Sequence, residues 1–283
     1  MINIIINCTP NYKKHDIINT VRKEIDIVSQ FIVLYHSIRE NWNLKHRISL
    51  FHNKSFPFSE HDLKRLLKLD IDIYAIEPDY EKTPYMLRCN ALTHKIKKPG
   101  SHRLLLDCDM VALEEPNFDL SCDWQAMYAN SMLSKDYCDY INLKYGYDLN
   151  LENKVCGPLF RMYIEGDGKS ENFFPHFNGG AFLIREELCE SFSQHTIPSY
   201  QIAHDSSVPH HVRHIGVQYG ASFALAKMSD NWKPFDAGFN YLAKEYDIDT
   251  FGKQNIQLLH YCGINAYAVA RKHFGEKIDD YLR

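Results

Sequence analysis

Short apolar runs alternate with amphipathic stretches through the first half of the chain, and this alternation limits the fold more than any other feature. Ile2 to Asn7 is a β-branched, largely apolar run suited to a strand buried on both faces. Thr9-Pro10-Asn11-Tyr12 ends it as a loop. Between Glu24 and Trp42, Ile25, Val28, Phe31, Ile32, Tyr35 and Ile38 recur at spacings of three and four, which predicts an amphipathic helix. Arg47–His52 and Ile71–Ile76 predict strands. Between them Ser59 caps a helix through Leu69, with Asp62 placed as in a capping box. Tyr85–Ile96 predicts a helix, Arg103–Leu106 a fourth strand and Trp124–Ala129 a fifth. Repetition of β-α-β units predicts an α/β fold with a mostly parallel central sheet and helices on both faces. Such sheets bind ligands beyond the carboxyl ends of their strands.

The second half is less regular. Ser131 to Phe174 is polar and aperiodic, as expected of an insertion or lid. Phe177–Ile184 predicts a strand interrupted by Gly179-Gly180, followed by helix over Glu186–Phe192. His204 to Ile215 is a polar, His-rich loop. Tyr219–Met228 predicts a helix and Ile256–His260 a last short strand.

Composition excludes several classes of function. With 283 residues and 45% hydrophobic content, the chain can bury a sizeable core. A net charge of −4 and a pI near 6.4 argue against nucleic acid as a partner, because phosphate binding needs a basic face. Eight cysteines are scattered without a Cys-x-x-Cys pair, the pattern of reduced structural thiols. No apolar stretch approaches the ~20 residues of a transmembrane helix, and no charged leader precedes Ile2. A soluble, cytoplasmic protein is expected. Two matches to the N-glycosylation pattern, at Asn7 and Asn53, carry little meaning in that setting.

The chemistry concentrates in Leu104-Leu105-Leu106-Asp107-Cys108-Asp109-Met110-Val111. Two carboxylates directly follow an apolar strand, where ionised groups are costly unless a cation or hydrogen bonds compensate. Carboxylate oxygens suit magnesium or manganese, which bridge substrate phosphates. A strand-end turn also favours Asp, so the pair alone leaves both readings open. His204, His210, His211 and His214 form a second cluster, but zinc takes about four ligands in a closed shell and the setting is that of a loop. One of these histidines is more plausibly a substrate contact.

Three segments together carry a resemblance. Arg103 to Leu113 resembles the Asp-x-Asp segment of nucleotide-sugar glycosyltransferases with the GT-A fold. His176 to Ile184, containing Asn178-Gly179-Gly180, resembles their acceptor-side strand. Leu258-Leu259-His260-Tyr261-Cys262-Gly263 resembles the late His-x-x-Gly element of glycosyltransferase family 8, the glycogenin-like enzymes. The resemblance implies one GT-A domain over 1–283, with a nucleotide-sugar half at 1–113 and an acceptor half at 114–283.

The resemblance also implies roles. Asp107, Asp109 and His260 would hold Mn2+ or Mg2+. The Asp107-Cys108-Asp109 triplet, Thr9, Tyr12, Arg88 and Gly263 would form the site for a UDP-sugar, with Cys108 turned into the packing of the sheet. Tyr12 would stack on the base, and Arg88 would reach the phosphates or sugar. Asn178 would bond a sugar hydroxyl. Gln218, in Gly216-Val217-Gln218-Tyr219, would lie near the reacting carbon. Val217 stands where the family often has an acid, and Asp205 is the acidic alternative. A further departure follows Gly263. The family's Lys-Pro-Trp is replaced by Ile264-Asn265-Ala266-Tyr267, leaving Arg271 or Lys272 to supply the charge.

The implied activity is metal-dependent transfer of a sugar to a hydroxyl of a glycan, protein or small molecule, with retention. An inverting enzyme would need a base such as Asp205 or Asp236, and Asp236 reads as structural. A non-catalytic sugar-nucleotide or glycan-binding module on a decayed glycosyltransferase is the main rival. A nucleotidyltransferase would need a Gly-rich, basic loop after the first strand, which Cys8-Thr9-Pro10-Asn11-Tyr12 lacks.

Overall fold

A computed structural model describes residues 1–9, 26–77, 86–128, 177–203, 221–222, 224–225, 228–242, 255–261, 268, 271–272 and 274–282. In chain order its elements are β1 (Ile2–Asn7), α1 (Ile27–Asn41), β2 (His46–Asn53), α2 (Glu60–Leu66), β3 (Asp72–Ile76), α3 (Met86–Thr93), β4 (His102–Asp107) and β5 (Met110–Ala112). Then follow β6 (Trp124–Tyr128), β7 (Phe177–Arg185), α4 (Cys189–Ala203), β8 (Trp232–Pro234), β9 (Tyr241–Leu242), β10 (Leu258–His260) and α5 (Lys277–Leu282). The central sheet is mostly parallel and seven-stranded, as the alternation of runs predicts. Two compact units divide the chain: Met1–Phe118 with Phe235–Arg283, and Asp119–Pro234.

In the first unit four strands run parallel in the order β3-β2-β1-β4. Ile4, Ile5 and Ile6 of β1 are fully buried, which explains why this strand is apolar without alternation. Register places Asn7 beside both Phe51 and Asp107. Thr9 and the Asp107–Asp109 segment therefore leave the sheet at one carboxyl edge.

Side chains fix where the helices begin and end. The Asp26 carboxylate accepts from Ser29 N at 2.8 Å, so α1 starts at Ile27. The hydroxyl of Ser59 accepts from Asp62 N at 3.0 Å and donates to the Asp62 carboxylate at 2.6 Å, so Ser59 caps α2 as the sequence predicts, with Asp62 bonded to the hydroxyl. Replacing Ser59 with Ala is expected to lower stability by about 1 kcal/mol, measurable by chemical denaturation. At the far end of α3, the buried Arg103 guanidinium donates to the carbonyls of Leu92 at 2.6 Å and His94 at 2.8 Å. These carbonyls have no partner within the helix, so Arg103 ties α3 to β4.

A three-stranded sheet in the order β5-β10-β9 also belongs to the first unit. Its strands have two or three residues, too few for a periodic signal. Val33 of α1, Val111 of β5, Leu259 of β10 and Ile278 of α5 share one buried cluster that supports it. α1 also closes the end of β5. Ser37 Oγ accepts from Ala112 N at 3.0 Å, and Asn41 Nδ2 donates to Ala112 O at 3.0 Å.

In the second unit β6 pairs antiparallel with β7 and parallel with β8. Trp124 and Trp232 stack with ring centroids 4.6 Å apart, and Trp124 Nε1 donates to Ser229 O at 3.0 Å. α4 runs well past the predicted Phe192 limit, after a 3-10 turn at Glu186–Leu188. Of the predicted Tyr219–Met228 helix, Ala221, Ser222, Ala224, Leu225 and Met228 are helical. The 131–174 insertion and the 204–215 loop lie outside the described residues. Among those described, no helix is long and apolar enough to cross a membrane.

Candidate metal centre

Asp107 is the last residue of β4, and Asp109 sits in the turn that leads into β5. β10 runs antiparallel to β5 and sets His260 opposite Met110, one residue from Asp109. The backbone then closes on itself, with Tyr261 N donating to Asp109 O at 3.2 Å. His260 Nε2 consequently lies 3.3 Å from Asp109 Oδ1 and 3.9 Å from Asp107 Oδ2. One ligand atom from each of the three residues lies within 4.8 Å of the others, an arrangement able to hold a metal ion. Asp109 and His260 are buried, and all three residues belong to the first unit.

The imidazole is oriented from behind. His260 Nδ1 lies 3.0 Å from Asn240 Oδ1. An amide oxygen only accepts, so Nδ1 carries the hydrogen of this bond and Nε2 faces the carboxylates. Metal-ligating histidines are held in this way. Asn240 was not singled out by the sequence. The signal it offers is a left-handed backbone, φ 57°, which no sequence pattern displays.

Electrostatics single out the same spot. Burial pushes the Asp107 carboxyl above the usual carboxylate range. The Arg88 guanidinium pulls it back, the Asp109 charge adds to the rise and His260 opposes it. Arg88, on α3, forms an ion pair with Asp107. Two carboxylates converging in a buried place need positive charge nearby; Arg88 supplies part of it, and two carboxylate oxygens beside an imidazole nitrogen leave room for more. The donor set therefore fits a divalent cation. Cys108 between the two carboxylates is a buried thiol outside this ligand group.

No protein-family model matches the sequence, and no curated protein matches it. Solved structures do. Galactosyltransferase LgtC in complex with donor and acceptor sugar analogs is 13% identical with a TM-score of 0.51, covering 99% of this chain and 95% of its own. The bifunctional glycosyltransferase WbbM gives 9% identity and a TM-score of 0.53, over 99% of this chain and 51% of its own. Mouse xyloside xylosyltransferase 1 gives 12% identity and a TM-score of 0.50, over 92% and 98%. The chain has the GT-A fold.

Within this GT-A fold the other predicted site residues divide into four groups. Arg88 pairs with Asp107 of the candidate centre, and Thr9 is half-buried beyond β1 at the same sheet edge. Asn178, Gly179 and Gly180 lie on β7 in the second unit, all buried. There Asn178 Oδ1 accepts from Gly180 N at 2.8 Å, a local turn that commits the amide oxygen to the backbone. Tyr12, Asp205, Gln218 and Gly263 lie outside the described residues. Arg271 and Lys272 are exposed helical residues.

Proposed function

We propose that the protein is a metal-dependent glycosyltransferase of the family 8 type. It would move a sugar from a nucleoside diphosphate sugar, a UDP-sugar, to an acceptor hydroxyl with retention of configuration. The observation that carries this reading is the convergence of Asp107, Asp109 and His260 at the carboxyl edge of the sheet in a GT-A fold. The glycosyltransferases among its structural neighbours support it.

A charge count explains what the residues do. Two carboxylates balance the charge of a divalent ion, and the neutral imidazole adds a ligand without adding charge. Arg88 then leaves the site with one net positive charge, suited to a donor diphosphate. Mixed oxygen and nitrogen ligands suit Mn2+, with Mg2+ as the alternative, better than Ca2+. When bound, the ion would act as a Lewis acid and neutralise charge growing on the departing diphosphate. Thr9 and Tyr12 are assigned to the nucleotide, Asn178 to a sugar hydroxyl and Gln218 to the neighbourhood of the reacting carbon, with Asp205 the acidic alternative to the residue that Val217 replaces.

A panel of UDP-sugars tests the reading. At least one donor is expected to release UDP in the presence of Mn2+, with release falling to background on chelation and returning when Mn2+ is restored. A panel that stays at background while calorimetry shows UDP bound would replace the enzyme with a sugar-nucleotide-binding module.

A further inference from the structure

We infer that Asn240 is the positioning residue of the metal centre: its amide oxygen fixes the His260 tautomer so that Nε2 faces Asp107 and Asp109. The inference rests on the metal-binding reading of those three residues and names the part of the chain that makes His260 a ligand.

The argument begins with the segment that delivers Asn240. Phe239 N donates to Asp236 O at 2.8 Å, closing a tight turn after Phe235. Gly238 presses against the chain leading into β10, and its carbonyl accepts from Gln257 N at 2.8 Å and Leu258 N at 3.1 Å. Beyond the turn, β9 pairs in parallel with β10, Tyr241 beside Leu259 and Leu242 beside His260. Asn240 is thus held on both sides by bonds to the strand that carries His260. Phe235 and Phe239 are buried, with ring centroids 4.5 Å apart, and anchor the turn. Asp236 serves the turn through its carbonyl and accepts from Gln257 Nε2 at 3.4 Å.

The backbone at Asn240 provides an independent argument. With φ at 57° it occupies the left-handed region, where glycine is the least costly residue. Asparagine is among the few other residues that tolerate that region. A buried asparagine where the backbone favours glycine indicates that its side chain is in use. Its amide oxygen lies 3.0 Å from His260 Nδ1, and both residues are buried. Partners of this kind orient a ligating imidazole and raise its basicity.

Glycine at this position separates the two roles, because it relieves the backbone and removes the acceptor. Asn240→Gly, Asn240→Asp, Asp109→Asn and the unmodified full chain are compared by titration with Mn2+ alone, following the electron paramagnetic resonance of free Mn2+. Melting is measured in metal-free buffer. Asn240→Gly is expected to stay folded in metal-free buffer, backbone relief offsetting part of the cost of an unpaired His260 Nδ1–H, yet bind Mn2+ roughly 10–100-fold more weakly. Asn240→Asp keeps an acceptor oxygen and a tolerated backbone, so its affinity is expected to stay within a few-fold. Nitrogen NMR of the unmodified, metal-free chain is expected to place the His260 hydrogen on Nδ1. Undiminished Mn2+ affinity in Asn240→Gly overturns the inference alone, provided that Asp109→Asn loses binding. A neutral His260 with its hydrogen on Nε2 also overturns it, independently of how any variant folds. If the unmodified chain binds no Mn2+, the metal reading fails and this inference fails with it.

Discussion

Exchanging Asp109 for Asn is expected to reduce Mn2+-dependent UDP release by about 10²–10⁴-fold, the rate equivalent of several kcal/mol of charge stabilisation. The substitution keeps size and shape but replaces a charged ligand with a neutral one, 3.3 Å from His260 Nε2. It should leave the fold intact. The Asp109 charge raises the carboxyl of Asp107 in a buried setting, so its removal relieves repulsion in the metal-free protein. Melting in metal-free buffer is therefore expected to be unchanged or higher. The rise in Tm that Mn2+ gives the unmodified chain should disappear, because stabilisation by a ligand follows its affinity. A variant that retained both the activity and the metal-induced shift would show that Asp109 is an ordinary strand-end aspartate.

Gly238→Ala is expected to have the largest effect on stability. A Cβ at this position would run into the carbonyl oxygen of Asn255 and lie 3.3 Å from Gln257 N, both backbone atoms that no rotamer change can move. The strand entry would have to shift, and the Gly238 carbonyl bonds to Gln257 and Leu258 would lengthen. Overpacking of this kind costs about 3 kcal/mol at the upper end of its usual range. A Tm fall of roughly 6–12 °C follows for a chain of this size. The same shift displaces β10 and Asn240, so Mn2+ affinity should fall too. Differential scanning calorimetry and metal titration measure the two effects, and a variant with unmodified melting would contradict the packing described.

The parts of the fold that were legible in the sequence are those with long, simple patterns. β1, β2 and β4 are largely buried runs of six to eight residues, β3 is a partly exposed edge run of five, and α1 shows its apolar stripe in Val28, Phe31, Ile32, Tyr35 and Ile38. α4 extends beyond its apolar period because buried polar groups follow Phe192. Ser193 and Thr196 break the apolar period, yet Thr196 Oγ1 donates to Phe192 O at 2.7 Å and stays inside the helix. α5 was not read, because six residues give too little period.

The candidate site was legible in proportion to its charge. Asp107 and Asp109 stand out because two ionised carboxylates at the end of so apolar a strand are costly unless compensated. His260 came only through resemblance, since a strand-end histidine bonded to backbone has the same sequence appearance. Asn240 depends on one dihedral angle and one hydrogen bond, and the small sheet that brings β10 to Asp109 is built from strands too short to predict.

The most direct test of the metal centre is an anomalous difference map from crystals soaked with Mn2+ and UDP. The arrangement predicts one strong manganese peak within bonding distance of Asp107, Asp109 and His260 Nε2, with the diphosphate oxygens completing its shell. Ordered UDP with no manganese among these three side chains, or a peak that leaves His260 on its own, would contradict it.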